Sequence, residues 1–144
     1  MFQFLAANMY WPQKITETVT SWGLTPLGFI FAFMLVLLIL GMFVDGVAMV
    51  LLTVPVVFPV AYALKIDPVH LGIIITLNVE LGVVTPPVGL NLFAVSGTSK
   101  IPLPQVLKGC VPFFFGGLAT LLLVILIPEL ATWLPDLLVK DVFK

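Results

Sequence analysis

The chain has 144 residues, 61% of them hydrophobic and 9% charged, with a net charge of −1 and a mean hydropathy of +1.24. A soluble domain carries about 25% charged residues, so this composition is that of an integral membrane protein, and no basic cluster is present to bind nucleic acid. A single cysteine, Cys110, excludes an intrachain disulfide and leaves no metal-ligand pattern.

Residues 1–11 are apolar but too few to span a bilayer. They lack a basic n-region and a small-residue cleavage site, so they read as the end of a preceding membrane segment rather than a signal peptide. Residues 12–22 carry Lys14, Glu17 and several Thr and Ser, which suits an interfacial link completing a 1–26 unit. Ile15, Val19 and Trp22 fall on one helical face, with Trp22 at headgroup level.

Residues 27–44 form the first clear membrane helix. At 1.5 Å per residue it reaches about 27 Å, just short of a hydrocarbon core of about 30 Å. The next apolar run begins at once after Gly41-Met42-Phe43-Val44-Asp45-Gly46. The chain therefore turns tightly at the far interface, or it turns inside the membrane as a re-entrant hairpin over 27–64. Glycines on either side of Asp45 suit such a tip, because glycine accepts positive φ. Asp45 is the only charge between Glu17 and Lys65. At the centre of a spanning helix it would cost about 2.5–3.5 kcal/mol. Two readings stand: an acid resting in water at a short turn, or a cation or proton site.

Pro55 and Pro59 predict a second arm that is kinked or ends near Pro55. Lys65-Ile66-Asp67-Pro68 is a polar loop, and His70 beyond it reads as a surface residue.

Residues 69–98 read as one discontinuous transmembrane helix. Pro86 and Pro87 have no N–H, so the carbonyls of Gly82 and Val83 lose their usual helical donors. Thr85 and Pro86 each precede a proline and are pushed out of the α region. In hydrocarbon such a break survives only where protein, water or an ion meets the freed groups. Free N–H groups at Val88, Gly89 and Leu90 would attract a carboxylate, and the carbonyl end of the first half a cation. Thr85 and Asn91 add side-chain oxygens and an amide. The alternative is a plain proline kink inside a packed bundle. Glu80 is a proton or substrate determinant, or a group that snorkels toward polar neighbours.

Residues 99–110 read as a short polar loop with Lys100 and Lys108 and no acids. Residues 111–130 form the final transmembrane helix, with Gly116 and Gly117 allowing close packing, and 131–144 a polar tail. If residues 27–64 go in and out, Lys14, Lys65, Lys140 and Lys144 share one side of the membrane and Lys100 and Lys108 lie on the other. The raw count favours the first group as cytoplasmic. An intramembrane aspartyl protease needs two facing aspartates, and only Asp45 qualifies, so no enzyme is expected.

Five blocks together resemble a known family. They are Gly41 to Asp45, Pro55 with Pro59, Ile66 to Gly72, Gly82 to Phe93 and Val111-Pro112-Phe113. They are similar to the large membrane subunit of tripartite ATP-independent periplasmic (TRAP) transporters, the DctM-like group, over roughly residues 20 to 135. The resemblance implies an all-α integral membrane protein that is one half of an inverted-repeat, elevator-type transporter. It implies a re-entrant hairpin over 27–64 and the discontinuous helix as its partner. Sodium, with no organic cofactor, is expected between the hairpin tip and the break. Gly41, Asp45, Thr85, Pro86 and Gly89 carry over as the ion site, Asp45 and Thr85 offering side-chain oxygens to the metal. Pro87, Val88, Asn91 and Glu80 are the candidate substrate contacts. The implied partners are a periplasmic solute-binding protein that delivers a carboxylate, a small membrane subunit and the missing N-terminal repeat. The implied location is the bacterial inner membrane, with Lys100 and Lys108 in the cytoplasm, against the raw lysine count. A non-transporting scaffold fragment of such a subunit is the alternative.

Overall fold

Side-chain caps start the three helices that follow Thr25, Asp45 and Asp67. The Thr25 hydroxyl accepts the Gly28 N–H at 3.1 Å, and Pro26 occupies a first-turn position where an N–H is not needed. The helix that follows is α1, Pro26–Gly41. Asp45 caps α2, Gly46–Ala63, accepting from Val47 N–H at 3.1 Å and Ala48 N–H at 3.4 Å. Asp67 caps α3, Pro68–Val83, accepting from Val69 N–H at 2.8 Å and His70 N–H at 2.9 Å. Then come α4, Leu90–Ser99, α5, Leu103–Leu126, and α6, Glu129–Val142. The computed structural model describes residues 14, 17, 18, 21, 23, 25–86 and 89–142, without the side chains of 136 and 138–142. The readings of residues 1–11 and of Ile15, Val19 and Trp22 lie outside the described residues. The described residues are helical and contain no strand.

Helix α3 is the centre of the packing and touches α1, α2, α4, α5 and α6. Leu71, Ile74, Ile75, Val79 and Leu81 bury its apolar surface, against Leu37 of α1, Met49 of α2 and Leu121 and Ile125 of α5. The outer faces stay apolar: Phe113 is 81% exposed and Val47 69% exposed. Patches of this kind belong against lipid or another protein surface. Helices α2 and α5 have 18 and 24 residues and are long and apolar enough to cross a membrane. Helices α1 and α3 have 16 residues each, about 24 Å, which falls short of the hydrocarbon core.

Several readings need correction. Helix α2 runs through Pro55 and Pro59 without ending, which leaves the kinked arm of the two readings. Its buried residues Met49, Val57, Val60 and Ala61 anchor both halves to the core, and such packing overrides the local cost of proline. The expected 99–110 loop shrinks to 100–102, because α5 already begins at Leu103. Pro104 falls in its first turn, where proline is favoured. The last helix long and apolar enough to cross a membrane is thus 103–126 rather than 111–130. The expected polar tail is helical through Val142, since Leu130, Leu134 and Leu137 recur at helical spacing and Ala131 is buried.

His70 is buried, 4% exposed, and not a surface residue. Its Nε2 lies 2.7 Å from the Val124 carbonyl. That carbonyl would normally accept from residue 128, but Pro128 has no N–H. His70 supplies the missing donor. A carbonyl only accepts, so this contact requires the proton on Nε2.

Candidate functional site

The turn between α1 and α2 is built from backbone. Phe43 and Val44 N–H both donate to the Leu40 carbonyl, at 3.0 and 2.9 Å, so the turn closes on the end of α1. Gly41 and Gly46 have no positive φ, contrary to the expectation for a glycine tip. What they provide is closeness. A Cβ on Gly41 would lie 2.8 Å from the Gly82 Cα, and one on Gly82 equally close to the Gly41 Cα. The end of α1 therefore lies directly on the end of α3. A Cβ on Gly46 would lie 2.8 Å from Val79, so the start of α2 is clamped to α3 as well.

The break after α3 is repaired locally. Thr85 N–H donates to the Gly82 carbonyl at 3.0 Å, and Val84 N–H to Leu81 at 3.3 Å. The Gly82 carbonyl, expected to lack a donor, finds one through a tightened final turn. Thr85 is buried and its hydroxyl donates to the Leu81 carbonyl. Its oxygen keeps lone pairs to accept or coordinate with. Gly89 opens α4 at φ +55, a left-handed conformation that favours glycine. Pro87 and Val88, two of the candidate substrate contacts, lie outside the described residues.

One cavity of about 410 Å³ gathers Asp45, Thr76, Glu80 and Asn91 between otherwise apolar walls of α2 and α3. Asp45 and Glu80 are both exposed to it, Asp45 as the cap of α2 and Glu80 without a hydrogen bond or ion pair among the described residues. The predicted set therefore divides. Asp45, Glu80 and Asn91 share this space. Gly41 and Thr85 sit at the Gly82 contact and behind it. Gly89 is buried where α4 begins, and Pro86 faces a separate hollow toward Cys110 and Phe114 of α5. Thr76 was missed by the sequence reading. The signal was its spacing, one turn before Glu80 on the same face of α3. Asn78 was passed over too. It is fully buried and its Nδ2 donates to the Met34 carbonyl at 2.9 Å, which ties α3 to α1, while its Oδ1 has no hydrogen-bond partner among the described residues.

Among the described residues no three His, Cys, Asp or Glu side chains come together to hold a metal ion. Carboxylates, a hydroxyl, an amide and backbone carbonyls are instead the donors preferred by small hard cations.

The family model for the DctM component of the tripartite ATP-independent periplasmic transporter matches residues 1–130. The chain belongs to the DctM family. The C4-dicarboxylate TRAP transporter large permease protein DctM of Vibrio cholerae is 44% identical over 127 residues, 88% of this chain and 28% of that protein. The ectoine TRAP transporter large permease protein TeaC of Halomonas elongata is 36% identical over 136 residues, 94% of this chain and 32% of that protein. The sialic acid TRAP transporter large permease protein SiaM of Vibrio cholerae is 35% identical over 137 residues, 95% of this chain and 32% of that protein. The chain thus spans under a third of each of these relatives. They are named as transporter components and not as enzymes, and three different solutes appear in their names.

Proposed function

We propose that this DctM-family chain is the C-terminal part of the large permease subunit of a TRAP-type secondary transporter in a bacterial inner membrane. The transporter couples sodium to uptake of a carboxylate solute that a periplasmic binding protein delivers. Sodium is the coupling cargo, held near the α1–α2 turn and the end of α3 by Asp45, Thr85 and the backbone oxygens of Gly41, Pro86 and Gly89. The solute lies nearer Glu80, Asn91, Pro87 and Val88. Residues 27–64 form the re-entrant hairpin and 69–98 the discontinuous helix of one inverted repeat of an elevator-type carrier. The missing repeat, a small membrane subunit and lipid cover the rest.

The observation that carries this reading is the cavity shared by Asp45, Glu80 and Asn91, beside two interruptions joined by the Gly41–Gly82 contact. Ionisable groups at membrane depth belong to a water-filled path or a bundle interior, and broken helices bring both ends of the peptide dipole to such a path. The test supplies the remaining part of the subunit from the Vibrio cholerae DctM relative, with its small subunit and binding protein, and follows sodium-dependent succinate uptake. Asp45→Asn is expected to abolish uptake and leave membrane insertion intact. Uptake at the unsubstituted rate would remove Asp45 from the ion site.

The alternative reading is a non-transporting scaffold fragment of such a subunit. It predicts that the purified chain binds no sodium yet still associates with other membrane subunits.

A further inference from the structure

We propose that α6 is an interfacial helix, lying along the bilayer surface with one apolar stripe pressed into the boundary between headgroups and acyl chains. The inference stands on membership of a membrane permease family. It does not depend on sodium coupling or on the solute.

Leu130, Trp133, Leu134 and Leu137 recur at i, i+3, i+4 and i+7, which is one side of a helix. All four are exposed, Trp133 at 65%. Another side already seats the helix on the bundle, where Ala131 is buried in the core. Glu129, Thr132, Asp136 and Lys140 recur at the spacing of a third side. The helix therefore has one packed side, one uncovered apolar side and one polar side.

The depth of α6 follows from its neighbours. Helix α5 is long and apolar enough to cross a membrane, and α6 begins directly beyond its end. The joint between them, at Leu126 and Pro128, borders the same hollow as Pro26, Lys65 and Asp67. The start of α1, the start of α3 and a charged loop thus meet the end of α5 at one level, which is where the bundle reaches water. Helix α6 leaves from that level and cannot cross the bilayer again. Its 14 residues reach about 21 Å, against a hydrocarbon core of about 30 Å. Asp136, Lys140 and Asp141 would each cost about 2.5–3.5 kcal/mol at the bilayer centre. In bulk water the four large apolar side chains would stay uncovered. At the interface both demands are met, and Trp133 sits at the level that tryptophan favours. Three acids against one lysine in α6 give no attraction to anionic headgroups. The partner is therefore the leaflet itself, held by the apolar stripe.

The test uses the permease completed with the Vibrio cholerae DctM part, freed of other cysteines and placed in vesicles of phosphatidylethanolamine and phosphatidylglycerol. Leu130→Cys, Trp133→Cys, Leu134→Cys and Leu137→Cys each carry a nitroxide label in turn. Collision with oxygen, which concentrates in hydrocarbon, is read against collision with a water-soluble nickel chelate. All four labels are expected to favour oxygen and to share one depth, about 5–10 Å into the boundary of headgroups and acyl chains. A label at Glu129→Cys should favour the nickel chelate. Replacing phosphatidylglycerol by phosphatidylcholine should leave the depths unchanged. Four results overturn the proposal. Labels that favour nickel lie in water, and labels that neither reagent reaches are covered by protein. Depths that step steadily from 130 to 137 mark an upright helix, and insertion that needs phosphatidylglycerol is electrostatic. Where a label disturbs assembly, Trp133 itself decides. Quenching of its fluorescence by brominated acyl chains, taken as the difference from Trp133→Phe, should be strong, and no difference overturns the proposal equally. None of these readouts requires transport, so failure of the transporter reading and failure of this one are told apart.

Discussion

Two proline joints interrupt this chain, and they are repaired in opposite ways. At Thr85-Pro86 the repair is local: a tightened last turn and the Thr85 hydroxyl supply donors to the Leu81 and Gly82 carbonyls. At Ile127-Pro128 the repair comes from far away in sequence. His70, 54 residues upstream, donates to the Val124 carbonyl at 2.7 Å. A local repair leaves neighbouring elements free to carry polar groups, and the α3 joint lies beside the cavity of Asp45, Glu80 and Asn91. A distant repair ties two helices together and uses up its polar side chain. Proline alone therefore does not mark a site.

The comparison breaks most sharply at the α1–α3 contact. Gly82→Leu puts a side chain where backbone already stands at 2.8 Å, and backbone cannot give way as a side-chain tip can. Overpacking of this kind costs about 1–3 kcal/mol, at times more. Thermal melting in detergent should show a large drop, and Gly41→Val should match it because the contact is reciprocal. A normal melting point for both would mean that the two interruptions are not locked to each other.

The α5 joint gives a smaller effect. His70→Leu leaves the Val124 carbonyl buried without its donor, a loss of about 1–3 kcal/mol. His70→Gln retains an N–H and should recover part of it. Equal melting points for the Leu and Gln variants would reduce His70 to a packing residue.

The helical class was legible from composition, because a chain with long uncharged runs has little else to do with them. The end of α3 was legible from two adjacent prolines. The two acids that line the cavity stood out in the sequence, since Asp45 and Glu80 are rare charges inside apolar runs. His70 was not legible, because its partner is created by a proline elsewhere in the chain, and no local pattern connects the two. The tip glycines were assigned the wrong virtue. Conformational freedom can be guessed from one glycine, whereas the Gly41–Gly82 contact needs the packing of two helices. The helix over 129–142 was missed because its charges drew attention away from the spacing of Leu130, Leu134 and Leu137.

The smallest expected effect sharpens the contrast most. Thr85→Val keeps the shape of the side chain and removes the hydroxyl that donates to Leu81. The Thr85 N–H still reaches the Gly82 carbonyl, and the Val84 N–H still reaches Leu81, so no carbonyl is orphaned by the change. The cost to stability should stay near the net value of one hydrogen bond, about 0.5–1.5 kcal/mol, below that of His70→Leu. If the joint is only a turn, nothing else changes. If the Thr85 oxygen also holds the coupling cation, the sodium concentration for half-maximal uptake should rise well beyond what so small a loss of stability explains. Melting and sodium titration of this one variant therefore separate the two roles, and a sodium response that follows stability alone would return Thr85 to the class of the α5 joint.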